Sequence, residues 1–420
     1  MKSSFRTIEQ IRSCESVQTA DLKRDWTALF EQVRHWNAVC ALAGDSVWEL
    51  ARNDGLFSQV PVLVKDNFVV RGMTATAGSM HMPVCVQQRD ADCVARLREA
   101  GAVIVGKTTL SELSGFVSTR MPPGYSQRYG QTINSVFENR TPGGSSSGSA
   151  SAVACGLVPL ALGTETNGSI MIPAMRHHII GFKPSHGSIS TQGVIPISHH
   201  FDTVGVLAND CADVERFLCV CQDSQSEILP AGEMSIRRLG VVISSDSEKK
   251  KQINALERVA RELAIEVEPV KLPEEYRGYK AVCSTDIRSD MTQWLEDYGD
   301  GTVPDFDSLV QRYRQGGHPF GFDRLEDASH FVGNDAHEQY EIALKERLRL
   351  RKQLEALFEK QSLDAVAMSE YAAHWAMIGW PQITVPWEKE GNILIAMPRG
   401  TDRGLLTLTN TLLQAKHGRI

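Results

Sequence analysis

With 420 residues, 42% hydrophobic and 23% charged, and a formal net charge of −7, the chain reads as an ordinary folded protein long enough to bury a substantial core. The charge balance, with no basic stripe interleaved with aromatics, excludes nucleic acid from the expected partners. Nine cysteines, placed singly apart from Cys219 and Cys221, are too few for a disulfide scaffold, and Cys155 and Cys219 read as small core residues.

The opening run MKSSFRTIEQIRSCES has no apolar centre, so no secretory leader is expected, and no apolar stretch approaches the length of a membrane span. The expected setting is cytoplasmic and reducing, without a membrane partner. Residues 8–14 and 22–41 carry apolar side chains at helical spacing, Trp26, Leu29, Phe30, Val33 and Trp36 among them. The compact β-branched run 60–64 predicts a buried strand ending at Lys65. A helix over 93–100, a strand over 101–106 and a helix start at 109–115 follow, which is α/β alternation.

The small apolar stretch 149–157 predicts a closely packed helix, and 158–162 a strand. Short strands are expected at 180–182 and 194–197, a helix at 211–220, a strand from Arg238 and a helix over 250–263. Residues 273–331 are polar, aromatic and without clear periodicity, so they read as helices joined by loops or as an insertion covering a cleft. A long amphipathic helix over 334–358, strands at 365–368 and 393–396, and a helix over 405–413 complete the reading. With no linker-like composition, residues 1–420 are expected to form one α/β domain. Its parts are an N-terminal helical part (1–55), a core (56–220) and a remainder (221–420) containing the variable segment 273–331.

Three segments carry the chemistry. They are VLVKDN with Lys65, PGGSSSGSAS at 142–151 with Ser145, and GTETNGS at 163–169 with Ser169. A serine hydroxyl is inert at neutral pH until its proton is removed, so two serines and a lysine are the parts of a serine nucleophile with an amine base. Gly143, Gly144 and Gly148 allow a tight loop that brings backbone N–H groups close to a bound group. A phosphate loop would use similar glycines, but the GK[ST] ending is missing. Thr166, Asn167 and Gly168 are placed to present successive N–H groups toward one point, and one such donor to an oxyanion is worth roughly 3–4 kcal/mol in acyl transfer. The twelve histidines show neither HExxH nor Cys/His ligand spacing, so no metal is expected. His177, His178 and His186 read as packed or hydrogen-bonded.

These segments, with GAVIVGKT at 101–108, GFKPSHG at 181–187, FDTVG at 201–205 and GWPQITVP at 379–386, resemble the amidase signature family of serine hydrolases. The resemblance is strong over 55–220, and its wording is similar to that of the small indole-acetamide-type and general amidases. It implies a mixed, twisted β-sheet core with helices on both faces and a site on loops above it. It also implies Lys65 as base, Ser145 as bridging proton relay and Ser169 as nucleophile, with the backbone of Thr166, Asn167, Gly168 and Ser169 as oxyanion hole. No cofactor is implied. The expected activity is hydrolysis of the C–N bond of a small carboxamide through a seryl acyl-enzyme. The alternatives are the amidase-like component of a glutamine-dependent amidotransferase and a non-catalytic binding or scaffold protein. The partner is a small-molecule amide, and a homodimer stays open.

The chain departs from the family pattern where Asn167 replaces a glycine, Met171 an arginine and Glu165 an aspartate, and where the serine run is one residue longer. Asn is expected to tolerate a left-handed turn. Glu165 is expected either to lack a partner or to find another donor. Asp66 is a candidate to hold Lys65 or the local turn. Phe116, Met121, Tyr125 and Tyr129 are candidates for an apolar entrance, and Trp294, Tyr298, Phe306 and Phe322 for a lid. A lysine base implies an acidic activity limb above pH 6 and an optimum between about 7.5 and 9.

Overall fold

The computed structural model describes residues 6–13, 19–49, 52, 54–223, 236–388 and 391–418. Among these, eleven strands form one sheet. In chain order they are β1 (Val39–Leu42), β2 (Pro61–Lys65), β3 (Val103–Thr108), β4 (Leu160–Glu165), β5 (Ile180–Lys183), β6 (Thr203–Ala208), β7 (Arg238–Val242), β8 (Glu266–Val270), β9 (Ala365–Met368), β10 (Gln382–Glu388) and β11 (Gly391–Ala396). Their order across the sheet is β1-β3-β2-β4-β6-β5-β10-β11-β9-β7-β8.

Pairing is parallel for β3/β2, β2/β4, β9/β7 and β7/β8, and antiparallel elsewhere. The mixed sheet has helices on both faces, as the resemblance implied. Every residue of β2, β3, β4, β5 and β6 is buried, which is why these strands read as continuous runs in place of alternating ones. The edge strand β8 carries the exposed Glu266 and Glu268 together with Pro269, which blunts further pairing.

The helix Ser147–Ala154 explains the small-residue stretch. A Cβ on Gly148 would stand 2.5 Å from Ala38 O, Thr109 O and Thr109 Oγ1, so only glycine lets the helix approach so closely. The segment 273–331 is helical, over Tyr279–Tyr298, Phe306–Gly316 and Asp323–His330.

Four expectations need correction. The helix predicted over 22–41 stops early: Thr19–Val33 gives way to a 3-10 turn at Arg34–Trp36, Asn37 takes φ 51°, and β1 begins at Val39. Residues 194–197 form no strand, and Val194 makes only an isolated bridge to Phe68. Glu112–Gly115 is a 3-10 turn in which Leu113 and Ser114 have positive φ. Cys219 is exposed, whereas Cys155, at the end of its helix, is half-buried and packs against the core. Cys14 lies outside the described residues. Among the described residues no helix is long and apolar enough to cross a membrane.

Candidate active site

Strand β2 delivers Lys65 as its last residue, with no solvent exposure. Its neighbour β4 runs parallel, with Val64 opposite Leu162, so Thr164 emerges beside Lys65. Lys65 Nζ lies 2.8 Å from Thr164 Oγ1 and 2.8 Å from Ser145 Oγ, and 3.4 Å from Thr164 O. Asn67 Nδ2 donates to the same Thr164 hydroxyl at 3.0 Å. Ser145 sits in the loop before the helix Ser147–Ala154, its carbonyl accepting from Ser111 N at 3.1 Å.

Ser169 lies on the turn between β4 and the helix Met171–His177. The two serine loops are tied by Ser146 N donating to Ser169 O at 3.1 Å. Among the described residues the Ser169 hydroxyl has no hydrogen-bond partner. The chain of contacts therefore closes from Lys65 to Ser145 and stays open at its last step.

Burial brings the Lys65 ammonium down from 10.5 to about 7, against the opposing pull of Asp202 and Glu165. Asp66, next in sequence, does not hold Lys65. It forms a buried ion pair with Lys107 at 2.8 Å, and its other oxygen accepts from Thr76 Oγ1 and Gly78 N. Asp66 thus fixes the local turn.

The segment 166–169 is braced by two side chains. Thr166 Oγ1 donates to Asp202 at 2.6 Å, and Asp202 also accepts from Ile197 N and Ser198 N. Burial pushes the Asp202 carboxyl up to about 6, the hydrogen bonds opposing it. Tyr371 Oη donates to Asn167 Oδ1 at 2.7 Å. Asn167 has no left-handed backbone; Gly168 takes the positive φ, at 81°, so the asparagine's tolerance for such angles is not used.

Glu165 finds partners other than an arginine. Its Oε2 accepts from Ile170 N at 2.8 Å and Met171 N at 3.0 Å at the start of a helix, and Oε1 accepts from Gln382 Nε2. Burial raises its carboxyl and Lys183 opposes that rise. Lys183, itself buried, is lowered to about 8.

The histidines stay out of this arrangement. His177 Nδ1 contacts Pro173 O and His186 Nε2 contacts His199 O, and burial lowers each ring to about 4.

The proposed entrance residues are mostly structural. Phe116 is buried, Met121 nearly so, Tyr129 Oη reaches Thr76 and Asp66, and Tyr125 packs edge-on against Phe320. Of the lid candidates, Phe306 is buried in its helix and Phe322 packs near Tyr313. Trp294 and Tyr298 stack at 5.4 Å and line a cavity of about 210 Å³ with Val194, Pro196, His199 and Asp202.

Thr164, Asp202, Tyr371 and Gln382 were not singled out in the sequence. Asp202 and Gln382 left a signal, as lone polar residues in the otherwise apolar motifs FDTVG and GWPQITVP.

A mixed sheet that presents a buried lysine, brought to about 7, against a serine loop has the parts a serine hydrolase needs. The chain belongs to the amidase family: the family model described as Amidase matches residues 27–397. It is 31% identical over 359 residues to a probable amidase of Arabidopsis thaliana, covering 78% of this chain and 70% of that protein. Over 189 residues it is 41% identical to an indoleacetamide hydrolase of Pseudomonas syringae pv. syringae, covering 45% of this chain and 41% of the relative. In fold it is similar to the native peptide amidase of Stenotrophomonas maltophilia, with TM-score 0.89 and 24% identity, covering 98% of this chain and 96% of the other. The protein is an amidohydrolase whose substrate is a small amide.

Proposed function

We propose that Lys65, Ser145 and Ser169 carry out this hydrolysis through a seryl acyl-enzyme. Lys65, neutral, draws a proton from Ser145 as Ser145 takes the proton of Ser169. The freed Ser169 Oγ attacks the amide carbonyl, and the backbone N–H groups of Thr166, Asn167, Gly168 and Ser169 receive the oxyanion. The proton returns along the same path to the leaving nitrogen, so that ammonia or an amine departs in place of an amide anion. Water, deprotonated by the same relay, then releases the acid.

The observation that carries this reading is the 2.8 Å contact between Ser145 Oγ and a lysine that burial brings to about 7. A lysine near its ordinary value would be protonated at neutral pH and unable to accept. The reading needs no nucleic acid and no second copy of the chain. We also place its action in the cytoplasm, which the free thiols of Cys40, Cys85 and the other described cysteines support.

The test is a panel of aliphatic, aryl and indole carboxamides scored by ammonia release, with glutamine included and fluorophosphonate labelling mapped by peptide. Likeness to an indoleacetamide hydrolase over the core recommends the aryl-acetamides. Release from one class and label on Ser169 is the expected result. No release from any amide, with Ser169 unlabelled, overturns the proposal. Glutamine turnover alone, raised by a second protein, would indicate an ammonia donor instead.

A further inference from the structure

Away from Lys65 and the two serines, residues 198–200 face the long helix Tyr279–Tyr298 across a cluster of imidazoles and carboxylates. His200 Nδ1 lies 3.0 Å from Asp286 Oδ2, and His199 Nδ1 lies 3.9 Å from the same oxygen. Donor atoms of His199, His200 and Asp286 all lie within 4.8 Å of one another. Asp290 approaches His199 Nδ1 at 2.9 Å from one helical turn further on. Donors bound at 2.0–2.1 Å around a tetrahedral ion stand about 3.4 Å from each other, so little movement is needed to close on one.

The cluster is also held as a metal site is held. Asp286 is fully buried, and Ser198 Oγ and Tyr340 Oη donate to its two oxygens, which orients it without neutralising it. Among the described residues no lysine or arginine forms an ion pair with Asp286 or Asp290; Arg347, which donates to His200 O at 2.9 Å, acts on Asp286 only through space. A buried carboxylate held by hydroxyls and an imidazole, with no direct cation, is costly, and a divalent cation would offset that cost.

We propose that His199, His200 and Asp286 form a site for a divalent transition-metal ion, with Asp290 in reach of the same ion. Two imidazoles and a carboxylate suit Zn²⁺, Co²⁺ or Ni²⁺, whereas Ca²⁺ and Mg²⁺ take oxygen ligands. The ion has no part in the bond cleavage. The ligands flank the turn whose Ile197 and Ser198 N–H groups bind Asp202, and Asp202 in turn holds Thr166, so the ion would stiffen the support beneath the oxyanion segment.

The test is titration of the chelator-treated full chain with Zn²⁺ followed by melting temperature, and with Co²⁺ followed by visible absorption. The expected result is a rise in melting temperature with Zn²⁺ and a Co²⁺ spectrum of low coordination number that saturates at an equimolar amount. His199→Gln, at an exposed position, should weaken binding by more than the roughly 10–100-fold that loss of an outer hydrogen-bond partner costs. His200→Gln should do the same. Absence of both signals in the native chain overturns the proposal and leaves two hydrogen-bonded His–Asp pairs. Unchanged Co²⁺ binding in His199→Gln also overturns it.

Discussion

Lys65 Nζ and Ser145 Oγ stand 2.8 Å apart although 80 residues separate them in the chain. One comes from the end of a buried strand and the other from the loop entering a small-residue helix. Their contact exists because Gly148 lets that helix lie against the sheet. Packing thus positions the first contact of the proposed proton path.

Removing either end of that path should abolish turnover. Ser169→Ala and Lys65→Ala are expected to lower kcat by three or more orders of magnitude, with the circular-dichroism spectrum unchanged. Because residues acting as a unit are not additive, the double variant should be no worse than Ser169→Ala alone. Single-turnover kinetics on the best amide checks this.

The pH profile should report Lys65. With the amine at about 7, kcat/KM rises as pH increases through about 7 and levels off above 8. Glu165 favours the charged amine, so Glu165→Gln should lower the lysine further and move the acidic limb to lower pH. The neutral side chain can be accommodated because, among the described residues, Gln382 Oε1 has no partner and can accept from it once its amide turns over. A limb that stays in place would show that Glu165 acts only as an anchor for Ile170 and Met171.

A buried lysine should also be a liability for stability. Lowering it from 10.5 to about 7 corresponds to about 5 kcal/mol at the lower pH, on the order of 1.4 kcal/mol for each pH unit. Between those two values the unfolded chain binds more protons than the folded one, so this contribution raises stability as pH rises toward 10.5. Lys65→Met is expected to be inactive yet more stable at pH 7 by about 1–3 kcal/mol, once lost hydrogen bonds are counted. The gain should shrink at alkaline pH. Urea denaturation at two pH values measures both effects.

Gly168 is the position where the backbone decides. Its φ is 81°, and an added Cβ would meet Ile172 Cδ1 at 2.7 Å and Tyr371 Cζ at 3.0 Å. Gly168→Ala should displace the oxyanion segment and cost about 10²–10³ in kcat, the effect of losing one donor. Tyr371→Phe, which frees Asn167 without touching the turn, should cost less. Comparing kcat with KM for the pair separates donor placement from substrate binding.

The central strands were legible because a strand buried on both faces is an unbroken apolar run, as in β2 and β3. The edge strand β8 was missed because Glu266, Glu268 and Pro269 hide it, and β10 because Pro386 interrupts its pattern. The helix Met171–His177 was missed because Pro173 reads as a breaker, although proline is tolerated in a first turn. At the site, Lys65, Ser145 and Ser169 stand in recognisable motifs. Their supports do not: Tyr371 and Gln382 reach the segment from more than two hundred residues away, and only the sheet order brings them there.

Lys65 and Lys107 are both buried on adjacent parallel strands, and the carboxylate that follows Lys65 in the chain pairs with Lys107. Thr76, Gly78 and Lys107 together hold Asp66 in a fixed direction, away from the residue it follows. Were that carboxylate to turn toward Lys65, the amine would keep its proton and Ser145 would face an ammonium. Lys107 therefore keeps the sequence neighbour of Lys65 engaged elsewhere, and the charges that act on Lys65 are those of Asp202 and Glu165. Replacing Lys107 by an uncharged residue would leave a buried carboxylate one residue from Lys65 without its counter-ion, held by Thr76, Gly78 and Tyr129, and so would unsettle the strand end that carries Lys65 without altering Lys65, Ser145 or Ser169.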